Sequence, residues 1–245
     1  MIKENLSRLI EKYEIDFVIA NGENATHGKG LIKAHYDELV DDGVDVITLG
    51  NHYDSKKQII SYIDRVDRLI RPANLLNDFP GEGSVMFDVD GISVRVTNVL
   101  GAAFMNENVD NPYKTMMDIL NNEEPSCIHI VDFHAEATGE KQCLAYALDG
   151  KVTAVLGTHT HVQTHDAKIL PNGTAFISDV GMTGFADGVL GCTKETVVPK
   201  ILWGENSRFE CPDEGRGILS AVVIDVDETS GKATQIFPIY LLESN

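Results

Sequence analysis

The chain has 245 residues, of which 43% are hydrophobic and 24% charged, an ordinary globular composition that excludes disorder as a description of the whole. Acidic residues outnumber basic ones 38 to 20, for a formal charge of −18. That balance is the reverse of what a duplex nucleic-acid binder or a protein seated on an anionic membrane requires. A small anionic substrate stays compatible if a bound metal ion supplies local positive charge.

Ile2, Leu6, Leu9, Ile10 and Tyr13 recur at helical spacing, so residues 2–13 read as an amphipathic helix. IDFVIA (15–20) reads as a strand running into the polar loop NGENATHGKG (21–30). LIKAHYDELVDDG (31–43) reads as a helix closed by Gly43, DVITLG (45–50) as a second strand, and residues 55–64 as helix. This alternation predicts a parallel sheet with helices packed on it. SVMFDVDGISVRVTNVL (84–100) predicts a hairpin around Asp90-Gly91. Then come a helix over 112–121, a strand over 127–133, a helix over 138–148, and strands over 151–157 and 174–181. Residues 218–242 read as two long strands around Ser230-Gly231. No repeat or linker interrupts the chain, so one domain with a mixed sheet, or two packed sheets, is expected. The four cysteines, Cys127, Cys143, Cys192 and Cys211, are far apart in sequence and read as buried or free thiols of a reducing compartment. The opening MIKENLSRLIEKYEID has no signal-peptide core and no apolar stretch reaches membrane-spanning length, so a cytoplasmic protein is expected.

Four polar clusters each follow a predicted strand: Gly22-Glu23-Asn24, Gly50-Asn51-His52, Asp132-Phe133-His134 and Gly157-Thr158-His159-Thr160-His161. Ligands of open α/β sheets bind beyond the carboxyl ends of the strands, so these loops are expected to share one rim. His159 and His161 stand two apart, which in an extended segment puts both on one side. Alone they read first as two histidines of a surface loop; His134 at another strand end shifts the balance toward metal ligation. Asn51 is a weak neutral ligand that suits a hard dimetal site with mixed donors, against the alternative of a simple Gly-Asn turn. Glu23 reads either as a turn carboxylate or as the bridge between two cations held about 3.5–4 Å apart. Together Glu23, Asn24, Asn51, His134, His159 and His161 form a set suited to a two-metal hydrolase, with His52 free for acid–base work. Iron, manganese and zinc all suit such donors.

Strand-end Glu, then GNH, a single His and GTHTH resemble the calcineurin-like metallophosphoesterases. The longer strings NGENATHGKG, ITLGNHYDSK, RPAN, DFHAEATGEK, GTHTHVQT and SDVGMTG resemble the bacterial YmdB-type branch, in order and over nearly the whole chain. The resemblance implies a metallophosphoesterase-type α/β sandwich, with mixed sheets packed between helices. It implies two divalent or trivalent metal ions, iron or manganese. It also implies hydrolysis of a cyclic nucleotide such as 2′,3′-cyclic AMP by a metal-bridging hydroxide, a link to bacterial signalling and biofilm formation, and homo-oligomers. Carried over by motif, Glu23 bridges the metals, Asn24 and His161 hold the first, and Asn51, His134 and His159 hold the second. His52 becomes the proton donor, while Asp132, Glu136, Thr160 and Asp179 take supporting roles around the ligands.

One departure stands at the beginning. Family members start with a strand ending in Gly-Asp, whose Asp is a ligand of the first metal. This sequence opens inside the helix that follows, about 15 residues further on. Asp16, at the start of a strand, is at the wrong end to replace that ligand. A start at an internal Met and a true variant with a damaged first metal site are the two explanations. Either way the first metal is expected to bind more weakly than the second, with reduced phosphodiesterase activity. The sheet is expected to expose apolar faces and unpaired backbone, a gap that a second subunit could cover. The competing functions are a phosphomonoesterase on the same site and a degenerate nucleotide-binding regulatory protein.

Overall fold

The computed structural model describes every residue except Asn77, Asp213 and Asn245. Helix α1 (Ile2–Tyr13) leads into β1 (Ile19–Asn21), α2 (Lys33–Asp41), β2 (Val46–Thr48) and, after two short 3₁₀ segments at Lys57–Ser61 and Ile63–Arg65, β3 (Leu69–Ile70). The hairpin β4 (Ser84–Val89) and β5 (Ile92–Leu100) follows, then α3 (Pro112–Asn122), β6 (Ile128–His134), α4 (Thr138–Leu148) and β7 (Ala154–Thr158). The chain closes with β8 (Lys168–Ile169), β9 (Ala175–Ile177), β10 (Thr183–Phe185), α5 (Lys194–Trp203), β11 (Gly217–Asp227) and β12 (Lys232–Leu242).

Among the described residues three sheets result. β1-β2-β3 is parallel, β10-β11-β12 is antiparallel, and β4-β5-β6-β7-β9-β8 is mixed, with β5, β6, β7 and β9 running parallel between antiparallel edges. Helices α3 and α4 cover one face of the six-stranded sheet through Met116, Leu144 and Leu148 against Val131, Phe133 and Phe176. Its other face meets the remaining sheets: Ile130, Ala154 and Ala175 pack with Ala233 and Ile224, and Val96 packs with Val46 and Ile70. Tyr36 of α2 joins Leu31, Ile47 and Ile59, while Leu9 of α1 packs on Leu219, Val223 and Ile239. The architecture is the expected α/β sandwich of mixed sheets between helices.

Both predicted hairpins form. Asp90 (φ 51°) and Gly91 (φ 89°) adopt the left-handed pair that a tight two-residue turn demands. Residues 55–64 are not α-helix but the two 3₁₀ turns, whereas α2 is closed as expected by Gly43 (φ 105°), whose N–H donates to the Val40 carbonyl while the Val44 N–H donates to that of Leu39. Between β1 and the part of β11 beyond Leu219 lies a channel of roughly 2230 Å³, lined by Ile19, Val94, Val96, Ile128 and Ile130 and opening on the candidate site. Among the described residues no strand pairs with the second edge of β1, or with that edge of β11 past Leu219. Among the described residues no helix is long and apolar enough to cross a membrane.

Candidate metal centre

The four polar clusters do meet, but from two sheets rather than one. β1 and β2 deliver Glu23, Asn24, Asn51 and His52; β6 and β7 deliver His134, His159 and His161. The sheets are tied where Asn21 Nδ2 donates to Asp132 Oδ2 at 3.0 Å and Thr48 Oγ1 donates to the same oxygen at 2.5 Å.

His134 Nε2 is the centre of the arrangement. Asn51 Oδ1 and His159 Nδ1 each lie 3.0 Å from it, and Glu23 Oε1 lies 3.2 Å away. The hydrogen-bond network fixes what these atoms offer. Asp132, accepting from Asn21, Thr48 and Thr158, takes the Thr158 hydroxyl proton at 2.7 Å. Thr158 Oγ1 therefore accepts from His134 Nδ1–H at 2.9 Å, which leaves a lone pair on Nε2. Glu136 Oε2, 3.1 Å from His159 Nε2, likewise takes its proton and leaves a lone pair on Nδ1. With both imidazoles neutral, four acceptors thus converge with no hydrogen of their own between them, a set that a cation resolves. Ligand atoms at about 2.0–2.1 Å from a tetrahedral ion stand about 3.3 Å from one another, close to the spacing here.

Backbone supports the same reading. A Cβ at Gly50 would collide with Glu23 Oε2 and with the His134 ring, so only glycine lets the β2 loop pass this close. The candidate ligand atoms of Glu23, His134 and His159 all lie within 4.8 Å of one another. Glu23 Oε1 also accepts from Asn24 Nδ2 at 3.1 Å, and Asn24 Nδ2 sits 3.0 Å from His161 Nε2. Glu23 Oε2 accepts the His52 backbone N–H at 2.9 Å. Burial works to raise the Glu23 carboxyl, but the His134 imidazole and the His52 N–H and ring hold it at about 2. For His134 burial pulls downward, and Glu23 and Asp132 outweigh it, so its pKa is raised. His52 and His159 are both lowered, chiefly by burial.

One expectation about geometry fails. His159 and His161 do not share the side of an extended segment: both are left-handed, at φ 100° and 65°, because the turn after β7 sends them to different partners. His159 faces His134 and Glu136, whereas His161 faces Asn24 and, through Nδ1, the Leu190 carbonyl at 3.4 Å. Thr160, between them, is held by Asp179, which accepts from its N–H at 2.9 Å and its hydroxyl at 2.8 Å. Lys141 Nζ completes that anchor 3.1 Å from Asp179. Asn21, Thr48, Thr158 and Lys141 were not among the sequence candidates. Asp16 precedes β1, at the opposite end of the strand from Glu23.

The sequence profile of the family described as "YmdB-like protein" matches residues 1–239. The chain belongs to this family. It is 44% identical over 237 residues to the 2′,3′-cyclic-nucleotide 2′-phosphodiesterase of Bacillus subtilis, covering 96% of this chain and 89% of that protein. The crystal structure of a novel phosphatase from Mycoplasma pneumoniae superposes with a TM-score of 0.94 at 38% identity, over 100% of this chain and 88% of that one. A hypothetical protein from Thermus thermophilus gives a TM-score of 0.92 at 37% identity, over 99% and 93%. The fold is that of the metallophosphoesterases, and this YmdB-like chain is a phosphoester hydrolase of a metal-dependent class.

Proposed function

We propose that the chain hydrolyses a cyclic nucleotide of the 2′,3′-cyclic phosphodiester type at the Glu23–His134 centre. The observation that carries this reading is the convergence of Asn51, His159 and Glu23 on His134 Nε2, with every spare proton drawn off by Thr158 or Glu136. In this reading Asn51, His134 and His159 hold one metal, Asn24 and His161 hold the other, and Glu23 is shared. Bound metal ions supply Lewis-acid stabilisation of the phosphoryl oxygens and a nucleophilic water at neutral pH. The mixed nitrogen and oxygen donors suit iron or manganese, with zinc as a third choice.

The protein's own groups do the rest. Glu23, held ionised, offers Oε1 and Oε2 to different neighbours, as a shared carboxylate must. Thr158 and Asp132 fix the tautomer of His134, Glu136 orients His159, and Asp179 fixes the turn that carries His161. Breaking the phosphorus–oxygen bond to the ribose leaves an alkoxide, and His52, in its protonated imidazolium form, donates a proton to it and becomes the neutral imidazole. Beside the shared Glu23, and among the described residues, the second metal is offered Asn51, His134 and His159 and the first Asn24 and His161, so the first is the weaker site. The chain acts as a homo-oligomer in the cytoplasm, a reading to which the exposed Ile201, Leu202 and Trp203 of α5 lend apolar surface.

The test is turnover of 2′,3′-cyclic AMP by the full chain, with metal content measured on the same sample. Manganese- or iron-dependent opening to a monophosphate, abolished by a chelator, is expected. Turnover of nucleoside monophosphates instead would make the centre a phosphomonoesterase. Nucleotide binding with no turnover in the metal-loaded protein would make it a regulatory module.

A further inference from the structure

Cys192 and Cys211 are 19 residues apart in sequence, yet their sulfurs lie 2.8 Å from each other. A disulfide needs about 2.05 Å, so the pair stands roughly 0.75 Å from bonding distance. The backbone holds it there. Cys192 closes a small loop by exchanging hydrogen bonds with Val189, at 2.8 and 3.0 Å, and Thr193 N–H donates to Glu210 O at 2.8 Å, aligning the two segments. Helix α5 lies between them in sequence. The two other cysteines, Cys127 before β6 and Cys143 on α4, are exposed.

The pair also adjoins two of the candidate ligand loops, one through Cys211 and one through Leu190. A Cβ at Gly28 would come within 2.8 Å of Cys211 Sγ, so this sulfur rests on the loop that carries Glu23 and Asn24. Leu190, two residues before Cys192, offers its carbonyl to His161 Nδ1. We propose that Cys192 and Cys211 form a reversible disulfide, a redox modification site that fastens the segment after α5 to the rim of the metal centre.

With hydrogen peroxide as oxidant the step balances. The Cys211 thiolate attacks the peroxide, an S–O bond forms, the O–O bond breaks, and hydroxide leaves with the proton that Cys211 gave up. The Cys192 thiol then attacks that sulfur; the S–S bond forms, the S–O bond breaks, and the departing hydroxide takes the Cys192 proton as a second water. The two sulfurs have lost two electrons to the peroxide. Cys211, half-buried, is the sulfur that meets the oxidant first, and Cys192, buried, resolves it. Burial, with the neighbouring sulfur, pushes the Cys192 thiol up to about 12, so Cys192 is not the sulfur that reacts first.

The experiment treats the full-length chain with hydrogen peroxide, blocks remaining thiols, and maps peptides without reduction. The expected result is a linked Cys192–Cys211 peptide, with free thiols falling from the four of the sequence to two and returning to four with dithiothreitol. In Cys211→Val the linked peptide should vanish while the circular dichroism spectrum stays unchanged. Four free thiols after oxidation would overturn the proposal. So would cross-links through Cys127 or Cys143, or oxidation of Cys211 that the reductant does not reverse. None of these readouts depends on the substrate.

Discussion

Glu23 and His134 approach to 3.2 Å with side chains only 2% and 1% exposed, although they come from different sheets. Glu23 follows β1 and His134 ends β6, so the contact exists only when the two sheets are docked. Changing Glu23→Gln keeps the shape and removes the charge that the proposed metal bridge requires. Turnover should fall at least about a hundredfold and bound metal should drop in parallel. Intact activity in that variant would remove Glu23 from the bridging position.

His52 separates from the ligands in a different way. Its contact with Glu23 is through the backbone N–H, which any side chain preserves. His52→Ala should therefore leave metal content unchanged while kcat falls by about 10²- to 10⁴-fold. Measuring both on one preparation decides it, since loss of metal would make His52 a ligand rather than the proton donor.

Thr158 carries the tautomer argument. Its hydroxyl takes the His134 Nδ1 proton and gives its own to Asp132. Thr158→Val keeps the volume and deletes both bonds. Metal affinity should weaken by about 10- to 100-fold, and the fold should lose about 1–3 kcal/mol because Asp132 loses a buried donor. Metal titration and urea unfolding read the two effects separately.

Sequence reading reached the candidate donors that the fold brings together because they sit in short strings at strand ends, where one residue type in one place has few structural excuses. It reached α1, α3 and α4 because apolar spacing and, in α3, the Asn111 cap and Pro112 are local signals. β3, β8 and β10 escaped because they are two or three residues long and exist only through pairing with distant strands. α5 escaped because Pro199 lies inside it and one side is exposed. Asn21, Thr48, Thr158 and Lys141 escaped for a related reason: each acts across the sheet on a residue far along the chain, as Lys141 does on Asp179, 38 positions away. The Cys192–Cys211 approach, invisible in spacing alone, is of the same kind.

His129 gives the fold a pH dependence away from the metal centre. It is 6% exposed, its Nε2 lies 2.8 Å from Thr97 Oγ1, and burial foremost, with the Arg95 guanidinium, lowers its pKa from 6.5 to about 3. Between those values the unfolded chain binds a proton that the folded chain refuses. Its contribution to stability is therefore complete above about pH 6.5 and is lost as the pH falls toward 3, at up to ~1.4 kcal/mol per pH unit. Urea unfolding of the wild-type chain and of His129→Gln at a series of pH values should differ by that slope in this window. Parallel curves would show that His129 charges freely in the fold.

Lys141 and Asp179 form an ion pair whose side chains are 2% and 1% exposed. Asp179 spends its remaining acceptors on Thr160, the residue between His159 and His161, and on the Gly181 N–H. Lys141→Met matches the length of the stem and removes the charge, which strands a carboxylate in the interior. A loss of about 3–5 kcal/mol is expected, larger than any surface ion pair would give. Pairing it with Asp179→Asn removes the stranded charge and should restore part of that stability. Metal affinity should behave otherwise, because the amide still cannot hold Thr160 with the strength of a carboxylate bound to Lys141. Stability that recovers while metal affinity stays low would assign this buried pair to the positioning of the two histidines. If both recovered together, or neither fell, the pair would have no part in holding the metal centre.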